Sequence, residues 1–271
     1  MVKLIKEQEG VFFTTVGYTI AIANQKGGVG KTTTTINLGA YLAKAGQRVL
    51  IVDLDPQANS SSGIGINKNK LEWSLYDVLV EGQEATKIIT KTEFEGLYIL
   101  PASPVLAAAE VELSQTKGRE FLLKKSLEQV KPQFDIILID CPPSLGILTI
   151  NGLAAADWLL IPVQSEYYAL EGLTQLLATV SRVRQGLNPR LNLLGVVITM
   201  HSSRTSLAAQ VQQELTRHFP DKLFSVTIPR NIRLAEAPSH GKPISHYDRF
   251  SKGAASYKKL AKEVLKRVNQ Q

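Results

Sequence analysis

Residues 19–33 restrict the fold more than any other part of this chain. A short apolar run, Thr-Ile-Ala-Ile-Ala, leads through Asn24-Gln25 into Lys26-Gly27-Gly28-Val29-Gly30-Lys31-Thr32-Thr33 and on into a helical pattern. Glycines at 27, 28 and 30 let backbone N–H groups close around an anion with no Cβ in the way. The helix that follows turns the positive end of its dipole to the same spot. A strand ending in such a turn belongs in an open α/β sheet, with the ligand at the carboxyl edge of the strands.

The rest of the chain repeats that alternation. Runs rich in Ile, Val and Leu occupy residues 19–23, 48–53, 97–100, 135–139, 158–163, 193–199 and 226–228, and read as strands buried on both faces. Between most of them the apolar residues recur every three or four positions, as in 32–45, 119–130 and 170–185, which predicts helices. The expected fold class is α/β, P-loop NTPase-like, a mostly parallel twisted sheet with helices on both faces. Residues 1–17 read as an N-terminal extension and 18–271 as a single domain, with the serine-rich stretch 60–65 as one loop. The final helix, 254–269, places Tyr257, Leu260, Ala261, Val264, Leu265 and Val268 on one face and Lys258, Lys259, Lys262, Lys266 and Arg267 elsewhere, as a helix lying on the sheet would.

Charge is distributed unevenly. Residues 1–179 carry 15 Lys and Arg against 19 Asp and Glu, whereas 180–271 carry 16 against 5, so the net charge of +7 arises in the last third. An anionic partner such as nucleic acid or an acidic lipid surface suits that asymmetry, and so does a merely solvated basic face. The lone Cys141 excludes an intrachain disulfide and a cysteine-held cluster, and the four histidines lack metal-site spacing. That single cysteine makes a reducing cytoplasm the expected location, and no run of eighteen apolar residues is present to span a membrane.

The loop's chemistry can be read residue by residue. Lys31 would reach the β- and γ-phosphates of ATP, the Thr32 hydroxyl would help to hold Mg²⁺, and Thr33 is placed for the α-phosphate. Two apolar runs end in carboxylates, Val49-Leu50-Ile51-Val52-Asp53-Leu54-Asp55 and Ile136-Ile137-Leu138-Ile139-Asp140. The second has the Walker B pattern, in which Asp140 would hold Mg²⁺ through a water.

Lys-Gly-Gly-Val-Gly-Lys-Thr resembles the deviant Walker A motif of the ParA and MinD group of ATPases: Gln25 stands where the ordinary pattern has its first glycine, and Lys26 opens the loop. From residue 19 to the last helix the chain resembles the chromosome-partitioning ParA subgroup often called Soj. The segments Pro162-Val163-Gln164-Ser165-Glu166-Tyr167-Tyr168-Ala169-Leu170-Glu171-Gly172 and Ile228-Pro229-Arg230-Asn231-Ile232-Arg233-Leu234-Ala235-Glu236-Ala237-Pro238-Ser239 carry that likeness. The resemblance implies an ATPase that forms a homodimer with ATP, in which Lys26 reaches the partner's nucleotide. It further implies that Asp55 positions the attacking water, that Asp53 is its magnesium-side neighbour, and that Cys141-Pro142-Pro143-Ser144 is a switch loop sensing the γ-phosphate. Adenine would lie near Met200, Pro229 and Asn231, and Arg204 and Arg233 would contact double-stranded DNA without reading its sequence. A ParB-type partner and a nucleoid-associated location complete the implied picture. A MinD-like membrane-cycling ATPase of division-site placement is the alternative. Its mark is a C-terminal membrane helix, whereas Val268-Asn269-Gln270-Gln271 lacks bulky apolar residues, so a membrane partner is not expected.

Overall fold

Strands β2 (Val49–Asp53) and β5 (Ile136–Asp140) are buried at every position, which only a strand covered on both faces can be. The computed structural model, which describes residues 17–166, 169–202 and 205–270 (side chains of 169–171 excepted), places them at the centre of a seven-stranded sheet. The other strands are β1 (Tyr18–Ile22), β3 (Thr90–Lys91), β4 (Leu97–Leu100), β6 (Trp158–Gln164) and β7 (Asn192–Thr199). Their order is β3-β4-β2-β5-β1-β6-β7, and every neighbouring pair is parallel except β3 with β4.

Alternation along the strands divides the core in two. Ala21, Leu50, Val52, Ile137, Ile139 and Ile161 pack on one face with Leu123, Leu127, Leu148 and Leu176. Ile20, Ile22, Val49, Ile51, Leu138 and Leu160 pack on the other with Ile36 of α1 (Lys31–Lys44) and with Tyr257, Leu260 and Val264 of the terminal helix Lys252–Asn269. That helix starts where the Ser251 hydroxyl accepts the Ala254 N–H at 3.2 Å, an N-cap. It is tied to α1 by a 3.2 Å hydrogen bond between the Tyr257 and Thr34 hydroxyls.

Three expectations need correction. Residues 226–228 form no strand: Ile228 bonds Ile198 O and His201 bonds Ile228 O, but the Ser225 N–H is drawn to the Glu263 carboxylate at 3.1 Å and Pro229 has no N–H to extend a ladder. The serine-rich stretch is not one loop, because Asn59–Gly63 is a short helix entered through Ala58 in the left-handed region (φ 53°). The helix expected over 119–130 is a 3₁₀ turn, Arg119–Phe121, followed by Leu122–Glu128. Arg267, off the apolar face of the last helix, nevertheless turns inward. It donates to Leu194 O, Lys222 O and Leu223 O at 2.7–3.1 Å, pairs with Glu263 at 2.8 Å and stacks 4.0 Å over Phe224. It thereby closes the β7 edge of the sheet.

Candidate functional site

The glycine loop is anchored from three directions. Asn24 donates to Pro162 O at 2.7 Å while its Oδ1 accepts the Lys26 N–H at 3.0 Å, which fixes the entry to the turn. The Val29 carbonyl accepts the Thr199 hydroxyl at 2.7 Å, so the end of β7 braces the far side. Gly28 and Gly30 have φ of 74° and 86°, a region that disfavours any residue with a Cβ. A Cβ at Gly27 or Gly28 would meet nothing within 4 Å, so the exposed side of the loop is open to a ligand. Lys31, 6% exposed, folds back and donates to Lys26 O at 3.0 Å. The Lys26 ammonium extends outward to the Glu166 carboxylate.

Facing the loop is a buried acidic pair. Parallel pairing of β2 with β5 sets Asp53 directly beside Asp140, and both are fully buried. Asp53 Oδ2 accepts the Ser61 N–H at 2.8 Å and the Ser61 hydroxyl at 2.7 Å, whereas its Oδ1 is buried and meets no donor among the described residues. Asp140 Oδ2 accepts the Ser60 hydroxyl at 2.8 Å, and the Thr35 hydroxyl stands 3.3 Å from Oδ1. Burial pushes the Asp53 carboxyl up to about 8, with the Asp140 charge adding to the effect. Burial likewise raises Asp140 to about 6, against the pull of the Thr32 and Ser60 hydroxyls. Desolvation lowers the Lys31 ammonium, and Asp140, Cys141 and Asp55 oppose that. Asp55 lies beyond the end of β2, 7% exposed, with its Oδ1 accepting the Gln57 N–H at 2.9 Å. The Cys141 thiol is held far above its ordinary value by burial, which leaves it protonated and unreactive.

These residues suit a magnesium–nucleotide complex. A buried, undonated carboxylate oxygen on Asp53, the Asp140 carboxylate and the Thr32 hydroxyl are hard oxygens of the kind the ion prefers. Among the described residues no group of three or more His, Cys, Asp or Glu could hold a metal unaided, so water and phosphate oxygens would have to complete the shell.

The other expected residues fall in two places. Met200, with φ 49°, follows the loop-bracing Thr199, accepts Gln164 Nε2 on its sulfur at 2.7 Å, and leads to His201, which bridges Pro229. Asn231 stands two residues on and caps the helix Ile232–Glu236, its Oδ1 accepting the Leu234 N–H at 3.2 Å. Met200 thus follows directly on the residue that braces the loop, and its neighbour His201 ties Pro229 alongside. Arg233 is exposed on that helix and paired with Glu236 at 2.9 Å and Asp248 at 3.5 Å. Arg204 lies outside the described residues. Sequence reasoning passed over Ser60, Ser61 and Glu166. Nothing local marks a serine run as a carboxylate's donor set, and Glu166 meets Lys26 across 140 residues of chain.

Comparison with known proteins bears on the family of the chain. A family model described as an AAA domain matches residues 17–193. The sporulation initiation inhibitor protein Soj of Bacillus subtilis is 56% identical over 249 residues, 92% of this chain and 98% of that protein. The chromosome-partitioning ATPase Soj of Treponema pallidum is 52% identical over 94% of this chain and 100% of its own length. Among solved structures, a Mycobacterium smegmatis protein described as cobyrinic acid a,c-diamide synthase with bound ATP analog and magnesium superimposes with a TM-score of 0.83, at 39% identity over 94% of this chain and 96% of that one. The cell division ATPase MinD of Pyrococcus furiosus does so with a TM-score of 0.77, at 27% identity over 92% and 99%. No helix among the described residues is long and apolar enough to cross a membrane. By sequence identity of about half or more along nearly its whole length, the chain belongs to the Soj/ParA family of chromosome-partitioning ATPases.

Proposed function

We propose that this chain is an ATP- and magnesium-dependent switch that dimerises with ATP, binds DNA without sequence preference, and leaves it on hydrolysis stimulated by a ParB-type partner. The observation that carries the proposal is the meeting, at one carboxyl edge of the sheet, of an open glycine loop, the buried Lys31, and the adjoining buried Asp53 and Asp140. Backbone N–H groups from Gly27 to Thr33 cradle the phosphates, and Lys31 neutralises the β- and γ-oxygens. Thr32, Asp53 and Asp140 would hold magnesium, which would supply a counter-charge to the phosphate oxygens.

Asp55 orients the water that attacks the γ-phosphorus, and Met200, Pro229 and Asn231 flank adenine. Lys26 acts on the partner's nucleotide. Its tie to Glu166 is one-third to one-half exposed, and a surface pair of that kind gives way at little cost to the denser charge of a triphosphate. Arg204 and Arg233 contact DNA phosphates, and dimerisation doubles that surface. Sedimentation velocity tests the switch: a dimer with magnesium and a nonhydrolysable ATP analogue, and a monomer with ADP or with Lys26→Ala, are expected. A monomer under all three conditions would refute it.

A further inference from the structure

One patch combines features that phosphate contact alone does not use. Phe250 is 84% exposed and Ile232 75% exposed, the two most exposed large apolar side chains among the described residues. Both adjoin Arg233. Its Nε lies 3.5 Å from Asp248 Oδ2, and the other oxygen of that carboxylate accepts the Phe250 N–H at 3.2 Å. Asp248 thus fastens the arginine and the phenylalanine to one spot. The Arg249 guanidinium stands 4.7 Å from the centre of the Phe250 ring, a cation–π contact. Arg233 and Arg249 are exposed here, with the exposed Arg230 and Lys252 two or three residues away in sequence, against Glu236 and Asp248, both already occupied by Arg233.

Leaving an aromatic ring in water is unfavourable, and cations surrounding it repel each other; a polyanion with an apolar interior relieves both. A lipid surface would match the charge. Two apolar side chains on a turn and a five-residue helix, however, bury too little to hold a protein at a bilayer. Duplex DNA needs less, because a single apolar wedge flanked by arginines can enter the minor groove and partly separate one base step.

We infer that Phe250, assisted by Ile232, is a DNA-contacting residue that wedges into the minor groove while Arg233 and Arg249 take the adjoining phosphates. The inference rests on the DNA-binding function proposed above and names a contact of a different physical kind. Phosphate contacts release counterions and set the salt dependence, whereas an apolar wedge does not.

The two can be told apart with the full chain, magnesium and a nonhydrolysable ATP analogue on a short duplex carrying 2-aminopurine in a deformable TA step. Wild type should brighten the probe as the step unstacks. Phe250→Ala should bind roughly tenfold more weakly, with the same slope of affinity against salt and no brightening. Phe250→Trp should retain both the affinity and the signal. Arg233→Ala should instead flatten the slope by about one counterion. Because the ring is exposed, Phe250→Ala should melt with wild type, which separates lost contact from lost fold. Equal affinity and equal brightening in wild type and Phe250→Ala would overturn the wedge alone. So would a Phe250→Ala that loses anionic vesicles but keeps DNA. A wild type that binds no duplex at low salt would overturn the DNA-binding function and the wedge with it.

Discussion

Replacing Asp140 by asparagine should make the empty protein more stable at alkaline pH while removing its activity. The Asp140 carboxyl sits at about 6 in the fold against an ordinary 3.8. A group whose folded value is raised contributes its stability below the unfolded value and loses it as pH rises through the folded one. Here the loss begins near pH 4 and is complete a little above pH 6. The gap between those two values corresponds to roughly 3 kcal/mol in full, of which between about 1 and 2 kcal/mol is lost from pH 5 to pH 8. With a urea slope of about 3 kcal/mol per molar for a chain of this size, the midpoint should fall by about half a molar over that interval. The assay is urea unfolding at both pH values, with chelator and without nucleotide, for wild type and Asp140→Asn. Asp140→Asn also removes the charge that helps to raise Asp53, so the comparison reports the acidic pair as a unit. Identical pH dependence in the two would refute the claim that a buried, unbalanced carboxylate waits at this site for a cation.

Asp55→Ala should keep the ATP dimer but slow phosphate release by about a hundredfold and prolong residence on DNA; wild-type residence on a DNA-coated sensor would remove Asp55 from the hydrolytic step. Gly28→Val should fold with about 1–2 kcal/mol of backbone strain, since φ is 74° and the added carbon meets nothing within 4 Å in its own chain, yet lose the ATP dimer proposed above. A normal ATP dimer in the sedimentation profile would count against that. Arg267→Ala should lower stability by about 2–3 kcal/mol in thermal melts, because it strips the β7 edge of a charged donor shared by Leu194, Lys222 and Leu223, and should leave nucleotide affinity unchanged. A change of less than about 0.5 kcal/mol would make the guanidinium a surface group after all.

How far the sequence could be read depended on whether the governing physics was local. Gly28 and Gly30 announce themselves because a left-handed backbone selects glycine, and the central strands do because burial on both faces excludes polar residues until the run ends in Asp53 or Asp140. Parallel register then sets those two aspartates side by side, which either run alone would not reveal. Ser60 and Ser61 look like loop residues, and only the fold turns their hydroxyls onto the two carboxylates. Residues 226–228 are apolar enough for a strand, but the competitor that draws the backbone off the sheet, Glu263, comes from another element. The role of Arg267 is hidden for a related reason. At the border of an amphipathic face, a long cationic side chain can turn inward when carbonyls and an aromatic ring await it.

The coupling of nucleotide to DNA is tested most directly by titrating salt against binding to a random-sequence duplex, in parallel with ATP, with ADP and with neither, magnesium present throughout. Tight binding confined to ATP is expected, with affinity falling steeply as salt rises and with no preference among unrelated duplexes. Affinity that is the same in all three nucleotide states, or that barely responds to salt, would contradict a switch built on the glycine loop and the basic last third of the chain.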